Sequence, residues 1–141
     1  MDMINEKHLE FVQNNITRMN QCSFQMKGWA IAIVSALLAI FASTISETNV
    51  GNKMFIYIAI ASAFLFWVLD ALYLSKERKF IGIYNDLINQ QQDNVVVKNY
   101  EMPVKNYRGW KYCVIKTMLS PSELILYGAI ICGLIFFGVL Y

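Results

Sequence analysis

The sequence predicts an all-α membrane protein with three transmembrane helices. The first continues from a long N-terminal helix, and a cytoplasmic helical or irregular insertion separates the second from the third. Three observations predict this. Apolar residues make up 57% of the 141 residues and charged residues only 16%, whereas a soluble domain carries roughly a quarter charged residues. A chain this short cannot hide so much apolar surface in a water-soluble core. The apolar residues are gathered into long runs, and the basic residues are segregated between them.

The runs are residues 28–46, 54–75 and 124–141. At ~1.5 Å per residue they extend about 27 to 33 Å as helices, which matches a hydrocarbon core of ~30 Å. A helix satisfies its own backbone hydrogen bonds in lipid; the strands of an open sheet do not. The chain therefore divides into an arm (1–27), TM1 (28–46), TM2 (54–75), an insertion (76–120) and TM3 (121–141), all within one membrane domain. The arm carries Asp2, Glu6, Lys7, Glu10, Arg18 and Lys27. That pattern is not a secretory signal, so the first apolar run is expected to be permanent.

Orientation follows from lysine and arginine. Lys53 is the one basic residue between TM1 and TM2. Lys76, Arg78, Lys79, Lys98, Lys105, Arg108, Lys111 and Lys116 lie between TM2 and TM3, and Lys7, Arg18 and Lys27 lie in the arm. Because positive loops stay inside, the N-terminus and insertion are expected to be cytoplasmic and Tyr141 external. Trp29, Trp67, Trp110 and Tyr73 fall near the boundaries, where interfacial aromatics are expected.

In the arm, Leu9, Val12, Ile16 and Met19 step by three and four, an apolar stripe at helical spacing. One helix from near Asn5 to near Thr44 is expected, its stripe facing this chain's own loop or another copy. TM2 should continue through Phe80, Ile83, Tyr84, Leu87 and Ile88 and end within 89–94. Residues 95–97 suit a short strand. Trp110, Cys113, Val114, Thr117 and Met118 would share one face of a short helix. Ser120-Pro121-Ser122-Glu123 reads as the start of the third helix, a capping box with proline at its first position.

Asp70 is the one ionisable residue inside an apolar run. An ionised carboxylate in lipid needs a partner or water. Lys27 lies at a similar depth, so an Asp70–Lys27 pair is expected, within a chain or between chains. Asp70 then serves as a structural salt bridge or as an ion-pathway carboxylate. Ala32, Ser35, Ala36, Ala39 and Ser43 give small-xxx-small spacings on TM1, and Gly128, Ala129 and Gly133 continue the theme on TM3. Such faces let helices approach closely, within the monomer or in an oligomer. Arg78, Lys79, Arg108 and Lys111 are candidates for an anionic ligand or partner, although positive-inside retention is the favoured account of them.

The net charge of +2 gives no argument for nucleic acid, and Cys22, Cys113 and Cys132 stand isolated from one another and from His8. That spacing indicates neither a disulfide framework nor a zinc site. His8 is expected to be solvated. No nucleophile and base stand at a useful spacing, no phosphate-cradling loop is present, and no cofactor or enzymatic activity is expected.

Three stretches carry a resemblance: residues 8–43 (HLEFVQNN…), 66–87 (FWVLDALYLSKERKFIGIYNDL) and 119–133 (LSPSELILYGAIICG). Trp67, Asp70, Tyr73, Glu77 and Arg78 are its most distinctive part. The chain resembles a family of small three-helix bacterial inner-membrane proteins found near TIR-type or other antiphage defence genes. The resemblance implies a membrane effector, a homo-oligomeric channel or disruptor, triggered by a cytoplasmic signalling protein or a nucleotide second messenger. A non-channel anchor that recruits a cytoplasmic enzyme is the alternative. No residue role carries over from the family.

Overall fold

The computed structural model describes residues 3–45, 51–89, 102 and 104–140. Four α-helices are present among them: α1 (Met3–Ser43), α2 (Met54–Asn89), α3 (Val114–Met118) and α4 (Pro121–Leu140), with a 3₁₀ turn at Trp110–Tyr112. The possible strand at 95–97 and the C-terminal Tyr141 lie outside the described residues. Three helices, α1, α2 and α4, are long and apolar enough to cross a membrane.

The 41 residues of α1 and the 36 of α2 form an antiparallel hairpin roughly 55–60 Å long at the α-helical rise. At one end Val12 packs with Ile83 and Leu87. At the other, Val34 and Phe41 pack with Ile56, Ala59 and Ala63. The arm's stripe thus faces its own chain, with Leu9 and Ile16 packed against this cluster. The cover comes from the extension of α2 together with Met102, Val104 and Tyr107.

The turn into α2 is held by side chains. Thr44 Oγ1 accepts from the Asn52 amide at 3.0 Å, and Asn52 Oδ1 accepts from the Met54 amide at 3.1 Å. Asn52 thereby satisfies one of the donors that every helix start leaves open.

Helix α4 packs on the first half of α2 and runs parallel to α1. Tyr127 stacks on Trp67 with ring centroids 6.0 Å apart. Leu134 enters the cluster of Val34, Phe41 and Ala59, and Gly138 lies against Ile56. The outward faces of the three helices carry exposed Ile31, Ile40, Phe64, Leu65, Ile125 and Phe136. Such a belt suits lipid rather than water.

Close helix approach comes from alanines other than those expected from the small-residue spacings. Ala30, Ala59, Ala63 and Ala71 are fully buried. Ala32, Ser35, Ala36, Ala39 and Ser43 are exposed and do not pack within the chain. Ala59→Leu is therefore expected to destabilise the bundle by about 1–3 kcal/mol through overpacking, while Ala61→Leu on an exposed position is neutral. Unfolding by SDS titration from mild detergent micelles checks this; equal midpoints for the two variants would contradict the packing.

Two local expectations are corrected. The short helix spanning Trp110 to Met118 is broken at Cys113, whose backbone is extended (φ −72°, ψ 136°). Only Val114–Met118 is helical, and Trp110 is exposed rather than sharing a face with buried Thr117. His8, expected in solvent, is buried at 1% exposure, because it sits one turn before Val12 on the same inward stripe.

Candidate functional site: a buried charge cluster

Where α1, α2 and α4 meet, each contributes polar side chains one turn apart. Ser23 and Lys27 are i and i+4 on α1, and Glu123 and Tyr127 are i and i+4 on α4. That spacing puts each pair on one helix face. Asp70 on α2 lies between them. Asp70, Glu123 and Tyr127 are fully buried and Ser23 is 4% exposed.

The Lys27 ammonium is the hub. Its Nζ lies 2.7 Å from Asp70 Oδ2 and 2.8 Å from Glu123 Oε1, and it donates to Ser23 Oγ at 2.9 Å. An ammonium has three donors, and three acceptors surround this one. Asp70 also accepts from the Ser23 hydroxyl through Oδ1 and from the Tyr127 hydroxyl through Oδ2, the latter at 3.2 Å. Both oxygens of Asp70 are therefore satisfied. Both Glu123 oxygens are buried with no hydrogen-bond donor, and Oε1 meets Lys27 as an ion pair only. Glu123 occupies the first turn of α4, where the positive end of the helix dipole favours a carboxylate.

The cluster contains two carboxylates and one ammonium, a formal charge of −1 with all three in the ionised form. A buried ion pair returns its desolvation cost only with good geometry and added hydrogen bonds. Asp70 has both; Glu123 has Lys27 as its counter-charge and the Asp70 carboxylate as a close neighbour. The site thus places Asp70 and Lys27 in one pair within a single chain and adds Ser23, Glu123 and Tyr127, which the sequence reading left out. Glu123 does not close the capping box expected of it. Its amide donates to the Ser120 carbonyl at 3.0 Å, while its carboxylate reaches Lys27, because an ion pair in an apolar setting outweighs a cap bond. The one sequence signal that could have suggested it is the i, i+4 spacing of Glu123 and Tyr127 at the start of an apolar run.

Two turns further along α2, the Glu77 carboxyl is raised above the usual range, chiefly by burial. Arg78 and Lys79 beside it are half-buried. Arg108 and Lys111 are exposed, and Lys111 Nζ sits 5.9 Å over the Tyr112 ring. Gly128 and Gly133 on α4 face open space where a Cβ would stand. Among the described residues no group of three or more His, Cys, Asp and Glu converges as metal ligands. No known protein family, curated protein or solved structure matches the chain.

Proposed function

We propose that this chain is a membrane effector that acts as a homo-oligomer and passes ions when triggered, with the Lys27–Asp70–Glu123 cluster as its polar gate. The observation that carries the reading is the pair of fully buried carboxylates, Asp70 and Glu123, that share one ammonium where three apolar helices meet. Ionisable groups held inside membrane spans are functional-site candidates by default, and the second carboxylate, Glu123, is more than a Lys27–Asp70 helix pair requires. The single chain is filled by Val34, Phe41, Ile56, Ala59, Ala63 and Leu134, so a conducting path needs several copies. The exposed Ala32, Ser35, Ala36, Ala39 and Ser43 face supports close approach of a second copy. The basic residues of the arm and insertion support a cytoplasmic N-terminus and an external C-terminus. The family resemblance supports the bacterial inner membrane, antiphage defence, and a signalling protein or nucleotide messenger as trigger.

The test is induction of the chain in bacterial cells with a potential-sensitive dye. Wild type is expected to collapse the potential. A charge at mid-membrane costs about 2.5–3.5 kcal/mol, an upper bound for a cluster at one end of the spans, so Asp70→Asn and Glu123→Gln should change the rate of collapse by up to about 400-fold. Growth arrest at unchanged potential would overturn the channel and leave an anchor that recruits a cytoplasmic enzyme.

A further inference from the structure

After α2 the chain returns along it as a strap, residues 104–119, which touches one face of α2 at four levels. The Tyr107 hydroxyl donates to the Asp86 carboxylate. The Tyr107 and Tyr112 rings meet edge to face, 5.8 Å apart, over Gly82, where an added Cβ would fall 2.9 Å from atoms of both. Ser75 Oγ donates to the Tyr112 carbonyl at 2.6 Å, and Trp67 Nε1 donates to the Met118 carbonyl at 3.2 Å. Asp86 to Trp67 is about 28 Å along the helix. Burial and the Asp86 carboxylate together hold the Tyr107 phenol well above its usual range, so it stays a donor.

The strap is also continuous with α4. Backbone bonds run Tyr112 to Gly109, Cys113 to Trp110, Thr117 to Cys113, Leu119 to Ile115, Ser120 to Thr117 and Glu123 to Ser120, each amide donating at 3.0–3.2 Å. Thr117 is fully buried, and its hydroxyl donates back to the Cys113 carbonyl. From Gly109 to the first turn of α4 the backbone bonds follow one another and meet at Cys113 and Ser120. A displacement at Tyr112 reaches Glu123 through the short segment between those two residues, which buried Thr117 and the Trp67–Met118 bond hold against α2.

We infer that the strap is a lever that positions Glu123 on Lys27, so that lifting Tyr107 and Tyr112 from Gly82 moves the start of α4 and opens the charge cluster. The mechanical link stands on these contacts alone; its consequence for ion flux rests on the gate proposed above. Glycine at 82 is what allows the two rings to sit flush on α2. The surface a trigger would act on is thus the tyrosine end of the strap, about 20 Å from the cluster it controls by helix rise.

The test reads both ends of the lever in purified full-length protein. Cys113, half-buried in the strap, reports release through its maleimide labelling rate after Cys22 and Cys132 are replaced by serine. Trp67, made the sole tryptophan by Trp29→Phe and Trp110→Phe, reports the start of α4 through its emission. Gly82→Val and the milder Tyr107→Phe are each expected to speed Cys113 labelling several-fold and to shift Trp67 emission to the red. Faster labelling with unchanged Trp67 emission would show that the strap yields locally, which overturns the lever. Unchanged labelling in both variants would overturn it too, because Gly82 and Tyr107 then do not hold the strap. A Trp67 response without any change in flux in cells would preserve the lever and remove the gate.

Discussion

Lys27→Met is expected to destabilise the bundle by about 3–5 kcal/mol, the cost of leaving buried charges without their partner. Among the described residues, the ammonium is the one cation in contact with these two buried carboxylates, at 2.7 and 2.8 Å. Methionine fills a similar volume, so the loss is electrostatic rather than a cavity. The diagnostic result is rescue. When Asp70→Asn and Glu123→Gln are added to Lys27→Met, no buried charge remains at the hub and most of the stability should return. Asp70→Asn alone should cost less than Lys27→Met, because Lys27 keeps Glu123 and the asparagine can still accept from Ser23 or Tyr127. SDS titration from mild detergent gives all four midpoints. A Lys27→Met protein as stable as wild type, or a triple variant no better than the single, would remove the cluster from the forces that hold the helices together.

The hairpin was legible because apolar runs of bilayer length admit few structures other than helices in lipid, and the short segment between the first two leaves them little choice but to run antiparallel. Asp70 was legible for the same reason, as the lone charge in such a run, with Lys27 at matching depth. Glu123 was not, because its local context is a strong helix-start signal and the ion pair that claims it lies 96 residues away in sequence (123 − 27). His8 and Ser23 were missed for a subtler reason. The inward face of α1 runs His8, Val12, Ile16, Met19, Ser23, Lys27, Ala30, Val34 and Phe41, an unbroken series of steps of three, four and seven. Its polar members interrupt the hydrophobic pattern but keep the helical phase, and the phase determines which way a side chain points. The alternation between exposed Ala32, Ala36 and Ala39 and buried Ala30, Ala59 and Ala63 was hidden because alanine alone carries no sidedness. Only the partner helix distinguishes one alanine face from another. The strap contacts depend on Gly82, Tyr107 and Tyr112 meeting across the insertion, and no periodic pattern encodes that.

At the far end of the hairpin, Phe41→Ala separates packing from solvent. Phe41 is 2% exposed, packs with Val34, Ile56 and Leu134, and has its ring against Gly51. In a water-soluble core, truncating a buried phenylalanine costs about 3–5 kcal/mol, the sum of the lost transfer from water and the cavity left behind. In a bilayer the separated helices keep the ring in hydrocarbon, so the transfer part vanishes and only lost packing remains. The expected effect in lipid vesicles is therefore well below the soluble range. In the water-exposed half of the hairpin the same reasoning keeps the full penalty: Leu87→Ala, at 2% exposure beside Val12 and Ile83, should cost about 2–5 kcal/mol. The smaller side chain should thus give the larger loss, the reverse of the order in a soluble protein. Steric-trap unfolding in vesicles measures both. If Phe41→Ala proves the more damaging by the full soluble margin, water rather than lipid surrounds residues 28–46, and the division of the hairpin into a membrane half and an aqueous half fails with it.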